Sequence, residues 1–203
     1  MDKLNGLSEQ TRDIYEANAG AYDKARSRTL SEARWLSRFG DGLPKGGSVL
    51  DLGCGAGEPI AAWLIAEGFA YTGVDFSPAM LEIASARWPD HDWQLGDMRS
   101  LDVDKRFDGV IAWNSFFHLT EDEQRETLPR LAALLNNGGT LMTTVGPHAG
   151  QTTGTVAGST VFHASLSPAE YAQILEANGL RLIAYLAEDP DCGRHSVLMA
   201  RKD

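Results

Sequence analysis

From residue 48 onward, short apolar runs alternate with stretches whose apolar residues recur every three or four positions. This is the pattern of buried strands alternating with amphipathic helices. Val49-Leu50-Asp51-Leu52 is read as the first strand, Tyr71–Asp75 as the second and His91–Leu95 as a short third. Phe107–Trp113 and Thr140–Val145 are read as the fourth and fifth. Helical spacing follows the first strand (Ile60, Ala61, Trp63, Leu64, Ile65), the second (Met80, Leu81, Ile83, Ala84) and the fourth (Leu128, Leu131, Leu134, Leu135). Ser77-Pro78 supplies an N-cap with proline at the first helical position, where no N–H is needed. Thr120–Glu123 and Ser167–Glu170 are capping boxes. Gly68, Asn136–Gly139 and Asn178-Gly179 are stop signals. Pro129 falls inside a helical pattern and predicts a kink or a split there. Leu180–Ala187 and Ser196–Ala200 form the last two strands. Glu188–Gly193 joins them and is too short to hold a helix, so they pair antiparallel. The expected fold is α/β: a doubly wound, seven-stranded, mostly parallel sheet with an antiparallel C-terminal hairpin strand and helices on both faces.

The expected organisation is one domain over residues 1–203. Residues 8–39 are helical, with Tyr15 and Tyr22 seven residues apart on one face. This segment either packs on the domain or forms a lid over a ligand cleft. Residues 48–145 form the core. Residues 146–165 are rich in glycine and threonine and are read as a long functional or mobile substrate loop. Residues 166–203 supply a helix and the closing hairpin.

Charge then narrows the partners. The net charge of -10 argues against a broad grip on nucleic acid or an anionic membrane. The N-terminal residues Met1–Gly6 lack the apolar core of a signal peptide, and no apolar run is long enough to span a membrane. The two cysteines, Cys54 and Cys192, lie far apart and are read as reduced thiols, which suits the cytoplasm. No metal site is expected.

The chemistry gathers where the first strand ends. Asp51-Leu52-Gly53-Cys54-Gly55-Ala56-Gly57 runs from strand to helix through three glycines spaced by two. Such a turn lets backbone approach a ligand with no Cβ in the way. A dinucleotide loop wants G-x-G-x-x-G, but here Glu58 and Pro59 stand where the third glycine belongs. A carboxylate and a missing N–H at a helix start disfavour a pyrophosphate. Asp75, at the end of the second strand, is suited to accept two ribose hydroxyls, as NAD enzymes also arrange.

Taken in order, these motifs resemble the class I S-adenosylmethionine-dependent methyltransferases, nearest to small single-domain bacterial members. Asp51–Gly57 resembles their glycine loop, and Gly73-Val74-Asp75-Phe76-Ser77-Pro78-Ala79-Met80-Leu81 their ribose-binding motif. Gly96-Asp97-Met98 resembles their adenine-edge motif, Phe107–Val110 their fourth strand and Gly138-Gly139 the turn before their fifth. The resemblance covers roughly residues 45–145 and implies a Rossmann-like fold, with S-adenosyl-L-methionine as cofactor and S-adenosyl-L-homocysteine as product. It implies that Gly53 and Gly55 hold the methionine part of the cofactor and that Asp51 fixes the loop. Asp75 takes the ribose diol, Phe76 packs on adenine, Asp97 accepts from the adenine amino group and Met98 covers the ring. Asn114 and Ser115 border the methyl group, and Cys54 and Met80 complete the contacts. Arg26 and Arg28 are both candidates for the cofactor carboxylate.

The expected reaction is direct methyl transfer to a small molecule, driven by positioning. His118, just past the fourth strand, is a candidate base and equally a structural or substrate-contacting histidine. Tyr22 is taken with it as catalytic. Tyr15, Phe116, Phe117 and Trp113 are further aromatic candidates for facing a sulfonium. His148 and His163 flank the 146–165 stretch, and Arg194 and His195 either bind substrate or begin the last strand. Asn114-Ser115-Phe116-Phe117 stands where base-modifying enzymes carry Asn/Asp-Pro-Pro-aromatic, so nucleic acid is not expected, and the chain is expected to be a monomer or homodimer. A non-catalytic S-adenosylmethionine-binding protein and a NAD-type oxidoreductase are the alternatives.

Overall fold

The structure, a computed structural model, describes residues 2–101 and 103–203. Met1, the first residue of the segment tested for a leader, lies outside them. Two helices precede the sheet, α1 (Asp2–Ala25) and α2 (Ala33–Asp41). Then come β1 (Ser48–Leu52), α3 (Ile60–Ala66), β2 (Ala70–Asp75), α4 (Pro78–Arg87), β3 (Asp92–Leu95) and β4 (Phe107–Ala112). After a 3-10 turn over Phe116–His118 follow α5 (Glu121–Ala133), β5 (Leu135–Val145), β6 (Gly150–Val156) and β7 (Ser159–Ser165). The chain closes with α6 (Pro168–Ala177), β8 (Leu180–Asp189) and β9 (His195–Lys202).

Seven strands form one sheet in the order β3-β2-β1-β4-β5-β9-β8. The first five run parallel, with Asp51 opposite Gly73 and Val49 opposite Gly109. β9 runs antiparallel to both β5 and β8, so it is the one reversed strand of this sheet. Strand order reverses between β1 and β4, and such a switch point opens a crevice at the carboxyl ends of the strands.

The central strands are buried on both faces, which explains their near-continuous apolar runs. Leu50, Val110, Leu141 and Leu198 point to one face, against Leu128 and Leu131 of α5 and Tyr171 and Leu175 of α6. Their neighbours Val49, Ile111, Met142 and Val197 point to the other, against Leu36 and Phe39 of α2 and Ala61 and Leu64 of α3. Phe39 lies so close to β4 that a Cβ at Gly109 would sit 2.5 Å from its ring, so only glycine fits there.

α5 is a single helix with Pro129 inside it, so of the kink or split expected there the split does not occur. The carbonyl that loses its N–H partner belongs to Arg125, on the exposed side of the helix, where water can take the bond. Residues 146–165 are not an irregular loop. They form the β6–β7 hairpin, a separate two-stranded sheet turning at Ala157-Gly158. Val161, Phe162, Ala164 and Ser165 are buried, so β7 is covered on both of its faces. α1 lies over this hairpin and over α4. Among the described residues no helix is long and apolar enough to cross a membrane.

Candidate active site

β1 delivers its backbone into the glycine loop at the switch point. The N–H groups of Gly53 and Cys54 donate to the Val74 carbonyl at 2.8 and 3.1 Å, so the loop is clamped to β2. Gly53 has a φ of +71°, and a Cβ there would meet the Ser115 Cβ at 2.3 Å. Gly55 has a φ of +56° and nothing within 4 Å of where a Cβ would stand, so its backbone faces open space.

Asp75 ends β2 inside the same crevice. It is 5% exposed; one carboxylate oxygen accepts the Gly55 N–H at 2.8 Å and the other the Ser77 N–H at 2.9 Å. Burial nevertheless pushes its pKa up to about 6. Asp51 is 2% exposed and pushed up to about 7, chiefly by burial, against a 3.0 Å hydrogen bond from the Tyr71 hydroxyl. Two strongly desolvated carboxyls thus face one groove, and a cation entering there would relieve both.

The residues after β4 close the floor. Ser115 Oγ donates to the Leu52 carbonyl at 2.6 Å, and the Asn114 N–H donates to Thr144 Oγ1 at 2.8 Å. Asn114 holds a φ of +55°, a region asparagine tolerates better than most side chains. Trp113 is buried, and its indole N–H has no acceptor among the described residues.

α1 forms the roof. Glu16 accepts the Ser77 hydroxyl at 2.5 Å and the Ala79 N–H at 3.1 Å, pinning α1 to the start of α4. Asp23 takes two bonds from Arg87, at 2.6 and 2.5 Å, and one from Arg28 at 3.2 Å. Arg28 also pairs with Glu58, while Arg26 pairs with the buried Glu32 at 2.7 Å. Of the two candidate arginines, Arg26 lines the deep part of the groove and Arg28 does not.

Under that roof, Tyr15 Oη lies 3.0 Å from His118 Nε2, and His118 Nδ1 lies 2.9 Å from the Phe162 carbonyl of β7. The carbonyl only accepts, so the ring proton is assigned to Nδ1. Nε2 then carries the lone pair, and the Tyr15 hydroxyl donates to it. Burial lowers the His118 pKa to about 4 and raises that of Tyr15. The imidazole is therefore neutral at physiological pH. Tyr22 stands behind Tyr15, edge to face at 5.3 Å, and is not the ring that touches His118.

The deep part of the groove brings together Tyr22, Asp51, Gly53, Cys54, Gly55, Asp75, Phe76, Met80, Asn114, Ser115 and His118. The adjoining part is lined by Asp97 and Met98 together with Gly53, Phe76, Ser115 and His118. Asp97 is half-buried; burial opposes its ionisation, but the Nε, Nη2 and backbone N–H of Arg99 hold its carboxyl below the ordinary range. Sequence reasoning passed over Glu16 and Arg87. Their partners lie in other elements, and no local pattern marks them.

The model of the Methyltransferase domain family matches residues 49–139, the stretch that builds this groove. An uncharacterized methyltransferase of Alkaliphilus oremlandii is 31% identical over 145 residues, 70% of this chain and 67% of that protein. This chain belongs to the class I S-adenosylmethionine-dependent methyltransferases. The dTDP-4-amino-2,3,4,6-tetradeoxy-D-glucose N,N-dimethyltransferase of Saccharopolyspora spinosa is 31% identical over 149 residues, 68% of this chain and 59% of that protein. Among solved structures, SAM-bound CalS10, an amino pentose methyltransferase from Micromonospora echinaspora, superposes with a TM-score of 0.70. It is 22% identical, covering 92% of this chain and 96% of that one, so it shows the shared fold. The chain spans only 54% to 59% of the length of several curated relatives. α1 packs on β7 and α4, and its Tyr15 and Tyr22 line the groove.

Proposed function

We propose that this methyltransferase domain binds S-adenosylmethionine in the groove at the β1–β4 switch point and methylates a small molecule. The observation that carries this reading is the pair of buried carboxyls, Asp51 and Asp75, beside an open glycine backbone and no phosphate-binding helix start. That environment suits a ligand with a ribose diol and positive charge, and the residues present fit the cofactor. Asp75 would take the ribose hydroxyls, Asp97 and Met98 the adenine, and Asp51 the side bearing the amino group. Arg26 would hold the carboxylate, with Gly53, Cys54, Gly55, Phe76, Met80, Asn114 and Ser115 shaping the remainder.

When bound, S-adenosylmethionine supplies a methyl group already activated on a sulfonium. The protein's share is alignment, which is worth about 7–11 kcal/mol in well-oriented reactions. Asn114 and Ser115 are tied to β5 and β1, and the tyrosine rings of α1 line the groove. The aromatic faces of Tyr15 and Tyr22 also favour nearby positive charge. His118 offers a neutral nitrogen lone pair that accepts a hydrogen bond, from Tyr15 or from the N–H or O–H of the nucleophile. Its weak basicity suits it to a proton shed late, once the nucleophile has become acidic. The name of one relative, an amino-sugar N,N-dimethyltransferase, supports an amine acceptor. Turnover to S-adenosylhomocysteine against a panel of amino- and hydroxy-metabolites tests the activity. Binding with no turnover across the panel favours the non-catalytic alternative.

One consequence concerns pH. Bound ribose hydroxyls and a bound ammonium favour the ionised forms of Asp75 and Asp51, so their pKa values fall on binding from about 6 and about 7. Binding then releases protons below neutrality. Affinity for S-adenosylhomocysteine is expected to rise as pH climbs through that interval and to level off above it, by up to about tenfold per unit per proton released. Calorimetry from pH 5 upward checks this; a flat profile contradicts the carboxylate contacts.

A further inference from the structure

A second cavity, of about 550 Å3, lies above the carboxyl end of β5, between the β6–β7 hairpin and the β8–β9 turn. That is the volume of a small-molecule site. One layer of side chains separates it from the cofactor groove. Trp113 lines the groove, and its ring packs 5.7 Å from that of His195, which lines the second cavity. The ring of His118 lies 4.9 Å from that of His163 across the same wall. Resting on the methyltransferase reading, we propose that this cavity holds the body of the methyl acceptor. The acceptor is a small molecule bearing an acidic group, carboxylate or phosphate, beside the N–H or O–H that is methylated.

Charge distribution points to the acid. The chain carries a net charge of -10 and has five histidines. Three of them, His148, His163 and His195, line this cavity together with Arg194. Its one lining carboxylate, Glu188, is occupied by Arg194 at 2.9 Å. In an acidic protein this is a site that does not repel an anion. The histidines are not a metal cage: among the described residues no group of three or more His, Cys, Asp or Glu is arranged to hold a metal ion.

Hydrogen-bonding roles divide in the same sense. Neither ring nitrogen of the half-buried His163 bonds another described residue, so it is free to donate, as is the remainder of the Arg194 guanidinium. His195 is different. Its Nδ1 donates to the Cys192 carbonyl at 2.7 Å, which places the lone pair of the neutral tautomer on Nε2. It can therefore accept from an N–H or O–H, and it packs on Trp113 at the groove wall, as His163 packs on His118. Trp113 itself carries a buried indole N–H with no acceptor, a donor left for a ligand at the boundary.

The β8–β9 rim of the cavity is held rigidly. Glu188 and Arg194 have φ values of +47° and +61°, which L side chains rarely adopt. Buried Asp189 enforces them: its carboxylate accepts Trp35 Nε1 and Arg34 Nη2, each at 2.7 Å, and its carbonyl accepts the Arg194 N–H at 2.9 Å. Strain of this kind persists where surrounding structure over-determines it, and it clusters at ligand clamps.

The test is a titration of inorganic phosphate into the full chain saturated with S-adenosylhomocysteine, following the histidine Cε1–H resonances. The resonances of His163 and His195 are expected to move together and saturate, while His91, beside Tyr71 on the far side of the sheet, stays fixed. Arg194→Gln, a change at an exposed side chain, is expected to weaken the apparent affinity about tenfold or more, the loss of one charge-assisted contact. Citrate in place of phosphate tells which acid binds more tightly. The proposal is overturned if neither anion moves His163, if His91 moves equally, or if Arg194→Gln binds as well as the wild type. Failure of the anion titration with S-adenosylhomocysteine still bound defeats this proposal alone; failure of S-adenosylhomocysteine to bind defeats the methyltransferase reading.

Discussion

Asp75→Asn is expected to lower the affinity for S-adenosylhomocysteine about a hundredfold while leaving the fold intact. Hydrogen bonds to a charged partner contribute roughly 1.5–3 kcal/mol each, and every 1.4 kcal/mol is about tenfold in affinity. The asparagine keeps the shape but loses the charge and one of two acceptor oxygens. Stability moves differently. The Asp75 pKa rises from 3.8 in the unfolded reference to about 6 in the fold, so the folded protein binds that proton more tightly. The group therefore favours the folded state most below pH 4, and that advantage is lost as pH rises toward 6. At neutral pH the ionised carboxylate is a burden on the fold, only partly offset by its bonds from Gly55 and Ser77. Its removal costs little stability while it costs much affinity. Calorimetry and thermal melting on the same variant separate the two. A variant that melts early and binds poorly would make Asp75 a structural residue; one that binds normally would remove it from the site.

The second large effect is expected in catalysis. His118→Ala is expected to reduce turnover roughly a hundredfold or more, the scale of a lost acid–base group, with a much smaller change in affinity for S-adenosylhomocysteine. That substitution also strips the Phe162 carbonyl of its donor and loosens β7. Tyr15→Phe is the cleaner companion, because it removes one hydroxyl and keeps the ring packed against Tyr22 and Phe76. If His118 accepts from the nucleophile with Tyr15 as its resting partner, Tyr15→Phe lowers turnover less than His118→Ala. With its pKa near 4, His118 also adds no ionisation to the kcat profile between pH 6 and 8. Full turnover in both variants would remove His118 and Tyr15 from the mechanism. An ionisation near 6.5 that disappears in His118→Ala would contradict its burial.

The parallel core was legible because both faces of β1, β4 and β5 are buried, which leaves long apolar runs bounded by glycine and proline. The cofactor groove was legible for a related reason. Its residues lie at strand ends, next to glycines whose spacing is set by the backbone. The hairpin was not. β6 is exposed along most of its length, so Gln151–Thr155 carries no apolar alternation, and the buried Val161, Phe162 and Ala164 of β7 fall on both of its faces and do not alternate. Which tyrosine meets His118 was not legible, for a geometric reason. Tyr15 and Tyr22 share a helix face, and the sequence holds nothing to say which one His118 reaches. The Asp23–Arg87 and Glu16–Ser77 ties that fasten α1 span more than 60 positions and leave no local trace.

The most direct measurement is a calorimetric titration of the wild-type chain with S-adenosylhomocysteine, repeated with NADH. The groove described here predicts saturable one-to-one binding of S-adenosylhomocysteine, lost in Asp75→Asn, and no heat from NADH. Heat from NADH with none from S-adenosylhomocysteine would contradict it.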